Sequence, residues 1–166
     1  MQEPWDTSRA KAQELRIEQW GAPDEAAVMA APMRRASNRR EAMDCLKGIA
    51  KTNTFTSRSG LAARLPGRSL SKIVSNAAVV ASFCPEAHFL AAANIDKRCS
   101  NAIEPWQFEL NPNKENGGLK ARRYLYAPIE YGDKMVITKI TVKEYEDDDL
   151  QNKIYSIEAI DVDIKV

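Results

Sequence analysis

The sequence predicts an α+β fold that ends in an antiparallel β-sheet. Three runs rich in β-branched and aromatic residues occur near the C-terminus, at 123–129, 135–144 and 154–162, and turn residues separate them. The connections are too short to hold a crossover helix, so these strands are expected to pair as an antiparallel meander. We therefore expect N-terminal helices and a small hairpin, one long helix, and then a C-terminal meander of at least three strands.

Two elements are predicted between residues 38 and 65. Asn38 and Glu41 have the spacing of a capping box, in which each side chain satisfies an amide at the start of a helix. This spacing predicts a helix over 38–51. Residues 52–65 follow the pattern of a hairpin that turns at 57–60.

Two further helices are predicted before the sheet. Ser69 is placed to cap a short helix over 70–74. Pro85 stands where the first turn of a helix tolerates proline, and the helix that it opens is expected to run to about Ile103. The polar stretch 111–118, which contains two glycines, predicts a loop.

The length of 166 residues suits one domain. We assign residues 38–166 to a single α+β domain. Residues 1–37 are interpreted as an N-terminal helical arm or linker, because their apolar positions are too sparse for a core helix.

The charge of the chain gives only a weak indication of a partner. The formal net charge is +1, with 13 basic and 8 acidic residues in 1–75 and 11 basic and 15 acidic residues in 76–166. A gradient of this size usually marks a solvated surface, although it also permits attraction to nucleic acid.

The cysteines and the hydropathy pattern bear on the compartment. Cys45, Cys84 and Cys99 have no CxxC spacing, which predicts reduced, mostly buried thiols and a cytoplasmic setting. No apolar run approaches the length of a membrane span, so no membrane partner is expected.

The chain has one histidine, His88, in the first turn of the helix predicted after Pro85. A lone histidine is more often structural than catalytic, but a neutral imidazole can act as a general base. Both interpretations stay open. One histidine and three scattered cysteines do not make a zinc site, so neither a metal nor a cofactor is expected.

A row of polar residues alternates along the predicted strand 135–144. Lys139, Thr141 and Lys143 share one face and follow each other at about 7 Å. The neighbouring strands add four further candidates, which are Arg122, Arg123, Tyr155 and Glu158. Cations beside a carboxylate and hydroxyls are the groups that an RNase needs. An antiparallel sheet with one face in water has the same residues, and pattern alone favours that interpretation.

No P-loop, GxGxxG, GxSxG, HExxH or kinase motif occurs. Instead, a series of short sequence motifs occurs in a characteristic order. They are 51–53, 59–63, 72–77, 85–89, 92–96, 126–128, 140–144 and 150–159. In this order they resemble a small domain found in large polyvalent proteins of phages and conjugative elements, with related domains on phage head-morphogenesis proteins. The resemblance covers about residues 38–163.

This resemblance implies an α+β fold and a protein of a phage or another mobile element. Its architecture is also similar to that of barnase/EndoU/colicin/RelE-like nucleases, in which helices precede a curved antiparallel sheet and RNA is cut on the sheet face. The similarity to these nucleases is an analogy of fold, and a similar fold does not establish a function.

The leading hypothesis is a metal-independent, RNase-like toxin or effector module. His88 or Glu158 would be the general base, Lys143 would stabilise charge, and the remaining candidates would bind substrate. These are Arg122, Arg123, Lys139, Thr141 and Tyr155. The expected partners are RNA and a cognate immunity or phage protein.

The alternative hypothesis is a non-catalytic module that binds a protein or nucleic acid, or that has a structural role. Convergence of His88, Glu158 and the cations on one concave surface would favour catalysis. Burial of His88 under the sheet, together with lysines that splay apart, would favour binding.

Overall fold

The computed structural model describes a large part of the chain. This described part comprises residues 28–51, 54–58, 60–82, 84–104, 109–110, 119–147 and 152–164. The predicted loop at 111–118 and most of the predicted N-terminal arm lie outside it.

The protein has the predicted α+β fold. The helices are α1 (Arg39–Ile49), α2 (Gly67–Ile73), α3 (Asn76–Ala81), α4 (Pro85–Ala93) and α5 (Ile95–Asn101). The strands are β1 (Phe55–Thr56), β2 (Ala62–Ala63), β3 (Glu109–Leu110), β4 (Leu119–Tyr131), β5 (Lys134–Asp147) and β6 (Asn152–Ile164). Strands β1 and β2 form the predicted small hairpin.

The main sheet is antiparallel throughout, in the order β3-β4-β5-β6. The meander β4-β5-β6 confirms the prediction from short connections. Gly132 has a φ of +62° in the turn between β4 and β5, a conformation that glycine adopts without steric cost.

Strand alternation gives the sheet one apolar face, which we call the inner face. Leu125, Ile140 and Ile160 stand opposite each other across three strands, and all three are fully buried. They share one hydrophobic core with residues of all five helices. We call the other side of the sheet the opposite face. It carries Arg122, Tyr124, Thr141 and Lys143.

The helix predicted from Pro85 to about Ile103 is divided in two at Asn94. The backbone of Asn94 leaves the helical region, with φ −120° and ψ 28°. Its side-chain oxygen accepts hydrogen bonds from the amides of Met33 and Arg34, at 2.9 and 2.8 Å. Its side-chain nitrogen donates to the Arg34 and Leu90 carbonyls, both at 2.8 Å. The break therefore lets one buried amide satisfy four backbone groups.

The described end of the N-terminal segment packs on the helical layer. Ala30 is fully buried, and the Arg98 guanidinium donates to the carbonyls of Met29 and Ala30 at 3.0 and 3.2 Å. Arg34 and Asp96 form an ion pair with a closest N–O distance of 2.7 Å. The boundary at residue 38 stays a prediction, but residues 29–34 make specific contacts with the domain.

The start of α2 differs from the sequence-based prediction of its cap. Ser69 lies within α2, whose N-cap is Pro66, so Ser69 is not the predicted cap. Ser75 caps α3 by accepting a hydrogen bond from the Ala78 amide at 3.3 Å. None of the helices in the described ranges is long and apolar enough to cross a membrane.

The first prediction concerns the inner face. Ile140→Ala should lower the free energy of unfolding by roughly 2–5 kcal/mol, because it leaves a cavity in a fully buried layer. Urea denaturation followed by circular dichroism measures this change. Val80→Ala is the matched aliphatic control, since Val80 is 83% exposed, and it should change stability little. Equal effects of the two substitutions would contradict the assignment of the inner face.

Candidate functional site

His88 lies in the core rather than on a surface. It is fully buried in α4, and both ring nitrogens have partners. Nε2 is 2.6 Å from the Ile73 carbonyl oxygen, which can only accept, so Nε2 carries a proton and donates it. Nδ1 is 2.6 Å from the Ser82 hydroxyl. Both nitrogens are therefore engaged in the fold.

The Ser82 hydroxyl extends this hydrogen-bonded chain to the sheet. It accepts a hydrogen bond from the Val162 amide of β6 at 2.9 Å. His88 and Ser82 thus join the end of α2, the end of α3, helix α4 and the edge strand of the sheet. These contacts fit a structural histidine that is buried within the fold.

His88 and Lys143 do not converge. Val162, which contacts Ser82, and Ser156, the cross-strand partner of Lys143, are both in β6. The stretch between them spans about 20 Å of extended strand. In addition, His88 lies beneath the inner face, whereas Lys143 is on the opposite face.

Arg122 and Lys143 form a cross-strand pair on the opposite face. They are direct partners in the β4-β5 register, and Tyr124 and Thr141 form the next pair on the same face. All four residues are half-buried. We call these four residues the basic patch. Arg122 is also the direct partner of Glu109 in β3, so an acidic residue stands on its other side. Like charges directly opposite each other disfavour a sheet, and a bound anion would lower the repulsion within the Arg122–Lys143 pair.

Arg123 is placed away from the basic patch. Alternation puts it on the inner face at the end of the sheet, where its Nε donates to Glu104 at 2.7 Å. Its guanidinium is also 3.7 Å from a carboxylate oxygen of Glu144. The sequence did not distinguish the two arginines, and the structure places only Arg122 beside Lys143.

Lys139 is less accessible than the alternation predicted. It lies on the same face as Lys143 but is only 6% exposed, so the expectation that its polar end is wet is wrong. Its ammonium lies 4.5 Å from the centre of the Tyr124 ring, a cation–π distance. This position supports the orientation of the ring better than it supports contact with phosphate.

Tyr155 and Glu158 are described only by their backbone. Tyr155 is in register with Glu144. The pairing of β5 with β6 shifts between Thr141 and Val142, and Glu158 lies at this irregularity, between the partners of those two residues. It is thus at the level of the basic patch along the strand.

Sequence analysis missed two residues beside these candidates. Tyr124 follows Arg122 by two positions, so the period of a strand was sufficient to place both on one face. Arg64 was not foreseeable, because its carbonyl accepts a hydrogen bond from the Ile157 amide of β6 at 2.8 Å. That contact joins residues distant in the sequence.

A separate cleft of about 450 Å³ lies between α1 and the start of α5. Its lining includes Arg34, Asp44, Cys45 and Asp96. Burial raises the pKa of Asp96, but the hydrogen bond from Arg34 and further contacts outweigh burial and hold that pKa below its usual value. The main charged groups of the cleft are therefore already paired with each other.

The cysteines and the acidic groups show no sign of reactive or metal chemistry in the described ranges. Burial raises the pKa of the Cys99 thiol to about 12, which keeps it protonated. Cys45 and Cys84 are half-buried, so only Cys99 has the expected full burial. Within the same ranges, no group of three or more His, Cys, Asp and Glu residues is arranged to hold a metal ion.

The second prediction tests the structural role of His88. His88→Ala and Ser82→Ala should each lower the free energy of unfolding by roughly 1–3 kcal/mol, because each leaves buried polar groups without partners. Their combined effect should be non-additive by about 0.5–3 kcal/mol, since the two side chains share one hydrogen bond. Urea unfolding of the single and double variants measures this coupling. The control is the double variant that combines His88→Ala with Val80→Ala. Strict additivity in both double variants would contradict a stabilising hydrogen bond between His88 and Ser82.

Comparison with known proteins identifies the family but gives no relative of known activity. No curated protein and no solved structure matches the chain. A model of the large polyvalent protein-associated domain 3 family matches residues 33–155, which is most of the chain. The match supports the predicted association with a phage or another mobile element. The chain therefore belongs to the large polyvalent protein-associated domain 3 family.

Proposed function

We propose that this domain is a non-catalytic nucleic-acid-binding module of a phage or mobile-element protein. The observation that supports this proposal is the basic patch, in which Arg122 and Lys143 stand side by side on the opposite face. The Cβ atoms of such a pair lie about 5 Å apart, close enough for both cations to contact one phosphate.

The other two residues of the patch suit the same ligand. The ring of Tyr124 is a surface on which a base can stack, and stacking tolerates any base sequence. The hydroxyl of Thr141 can donate to a phosphate or sugar oxygen. The patch therefore combines backbone contacts with a stacking platform, as in proteins that bind single strands without sequence preference.

The position of His88 supports binding over catalysis. Its two ring nitrogens are used by Ile73 and Ser82. Glu144, another carboxylate near this end of the sheet, is close to Arg123. The four side chains of the basic patch thus offer two cations and two hydroxyl groups.

The third prediction tests binding. A labelled single-stranded RNA should bind the domain in a fluorescence anisotropy titration, and affinity should fall steeply between about 50 and 200 mM salt, because cations release counterions from phosphate. Lys143→Ala and Arg122→Ala should each weaken binding and reduce the salt slope by about 0.7, the value for one phosphate contact with a single strand.

Lys51→Ala is the matched control for this experiment. It removes one charge from an exposed lysine just past the end of α1 and should leave affinity nearly unchanged. Absence of binding by the folded wild-type domain at low salt would reject nucleic acid as the ligand and leave a protein partner. An equal loss in Lys51→Ala would show general attraction without a site.

A metal-independent RNase is the second candidate, and the position of Glu158 favours it. Glu158 lies at the strand irregularity, between the partners of Thr141 and Val142. An acidic residue therefore occurs in β6 at the same height along the sheet as the basic patch. In this version Glu158, not His88, is the general base, Lys143 stabilises the phosphorane, and Tyr155 contacts the substrate. The nucleophile is the 2′-hydroxyl of the RNA itself.

The fourth prediction distinguishes this candidate. If the domain is an RNase, incubation with total RNA and with tRNA should yield 2′,3′-cyclic phosphate ends equally with and without EDTA. Glu158→Gln should slow cleavage by roughly 10²–10⁴-fold, whereas His88→Gln should affect it only through stability. Survival of RNA at micromolar concentrations of folded wild-type protein would reject catalysis and leave the binding proposal intact.

A further inference from the structure

The helical half of the domain carries most of its positive charge. Residues 28–82 contain ten Lys and Arg residues against two Asp and Glu residues, a formal charge of +8. The basic side chains on α1, α2 and the residues around them are exposed. They include Arg40, Arg64, Arg68 and Lys72. The full chain has a charge of only +1, so this surface is basic because the acidic residues lie elsewhere.

Arg64 connects this surface to the basic patch. Strand β6 is at the edge of the sheet, and the Ile157 amide donates to the Arg64 carbonyl at 2.8 Å. Ile157 follows Ser156, which is the cross-strand partner of Lys143. Since neighbouring strands lie about 4.8 Å apart, Arg64 is about two strand spacings, or roughly 10 Å, from Lys143.

Helix α2 continues the basic surface beyond Arg64. Arg68 and Lys72 are both exposed and are separated by four positions, which places them on one side of the helix about 6 Å apart along its axis. The Nε of Arg39 donates to the Val74 carbonyl at 2.7 Å and so holds the first turn of α1 beside the end of α2. Arg40, the next residue, is exposed in the same first turn of α1, near the end of α2.

The charges of β6 restrict where a polyanion can cross this strand. Glu158, Asp161 and Asp163 follow the crossing point along β6. The stretch 154–157 before them has no charged residue, and the amide of Ile157, its last residue, donates to the Arg64 carbonyl. A strand of nucleic acid that crosses β6 nearer its C-terminal end would pass these three acidic residues.

We infer that nucleic acid bound at the basic patch crosses β6 at residues 154–157 and continues over α2 towards the first turn of α1. This path, the basic track, consists of Arg64, Arg68, Lys72 and Arg40, and it rests on the proposed binding function. The ligand class is a single-stranded nucleic acid longer than the patch alone can hold, recognised through its phosphates.

The fifth prediction uses ligand length to separate the track from the patch. The probes are labelled RNAs of about 4 and 16 nucleotides, the range of site sizes for small single-strand binders. In anisotropy titrations, Arg68→Gln combined with Lys72→Gln should weaken binding of the long RNA by roughly tenfold or more and reduce its salt slope by about 1.4. The same double variant should leave binding of the short RNA unchanged. Lys143→Ala should weaken binding of both.

The control and a second variant make each outcome decisive. Arg64→Gln should reproduce the loss for the long RNA. Lys51→Gln should not, because Lys51 lies past the other end of α1, and the helical rise puts Ile49 about 15 Å from Arg39. If Lys143→Ala weakens both RNAs but the track variants weaken neither, the track is rejected and the patch remains. If neither RNA binds the wild-type domain, the binding function fails and the track with it. An equal loss in Lys51→Gln would also reject the track.

Discussion

The helices of this domain depend on the inner face of the sheet. Within the described part of the chain, none of them exceeds the 11 residues of α1, and α2, α3 and α5 have seven, six and seven. Helices of this length are marginal in water, because nucleation costs more than a few hydrogen bonds return. Their stability must come from packing, and the apolar residues that alternate along β4, β5 and β6 provide the surface. The burial of Leu125, Ile140 and Ile160 is thus the constraint on which the other elements rest.

Short helices leave backbone groups without helical partners at their ends, and buried polar side chains form hydrogen bonds with several of these groups. His88 forms a hydrogen bond with the Ile73 carbonyl, and Asn94 forms hydrogen bonds with four backbone groups around the break between α4 and α5. Arg98 contacts the carbonyls of Met29, Ala30 and Pro128. Burial lowers the pKa of Arg98 to about 10, but the guanidinium is still charged at neutral pH. A charge-assisted donor of this kind stabilises carbonyls that helix ends leave open.

These structural roles change the functional interpretation. The single histidine lies in one of the motifs that resemble the family, and it suggested acid–base chemistry. In the structure, that residue links helices to the sheet through Ser82. The basic patch on the opposite face carries the groups that the proposed nucleic-acid contact uses. A shared architecture with nucleases would not require shared catalysis, because function depends on the groups that the fold brings together. Family membership supports an association with a phage or another mobile element, whereas the proposed ligand rests on the patch and the proposed track.

The sequence by itself determined the class of fold, the meander and the two faces of β5. Those features follow from local rules, namely turn residues, short connections and a side-chain period of two, and Ile140 was assigned correctly on that basis. The tertiary structure decided the exposure of Lys139, the separation of His88 from Lys143 and the break at Asn94. Each of these depends on a partner distant in the sequence, such as Val162 for Ser82 or Met33 for Asn94. Periodicity shows which side of a strand a residue occupies, but only the packed chain determines what lies against that side.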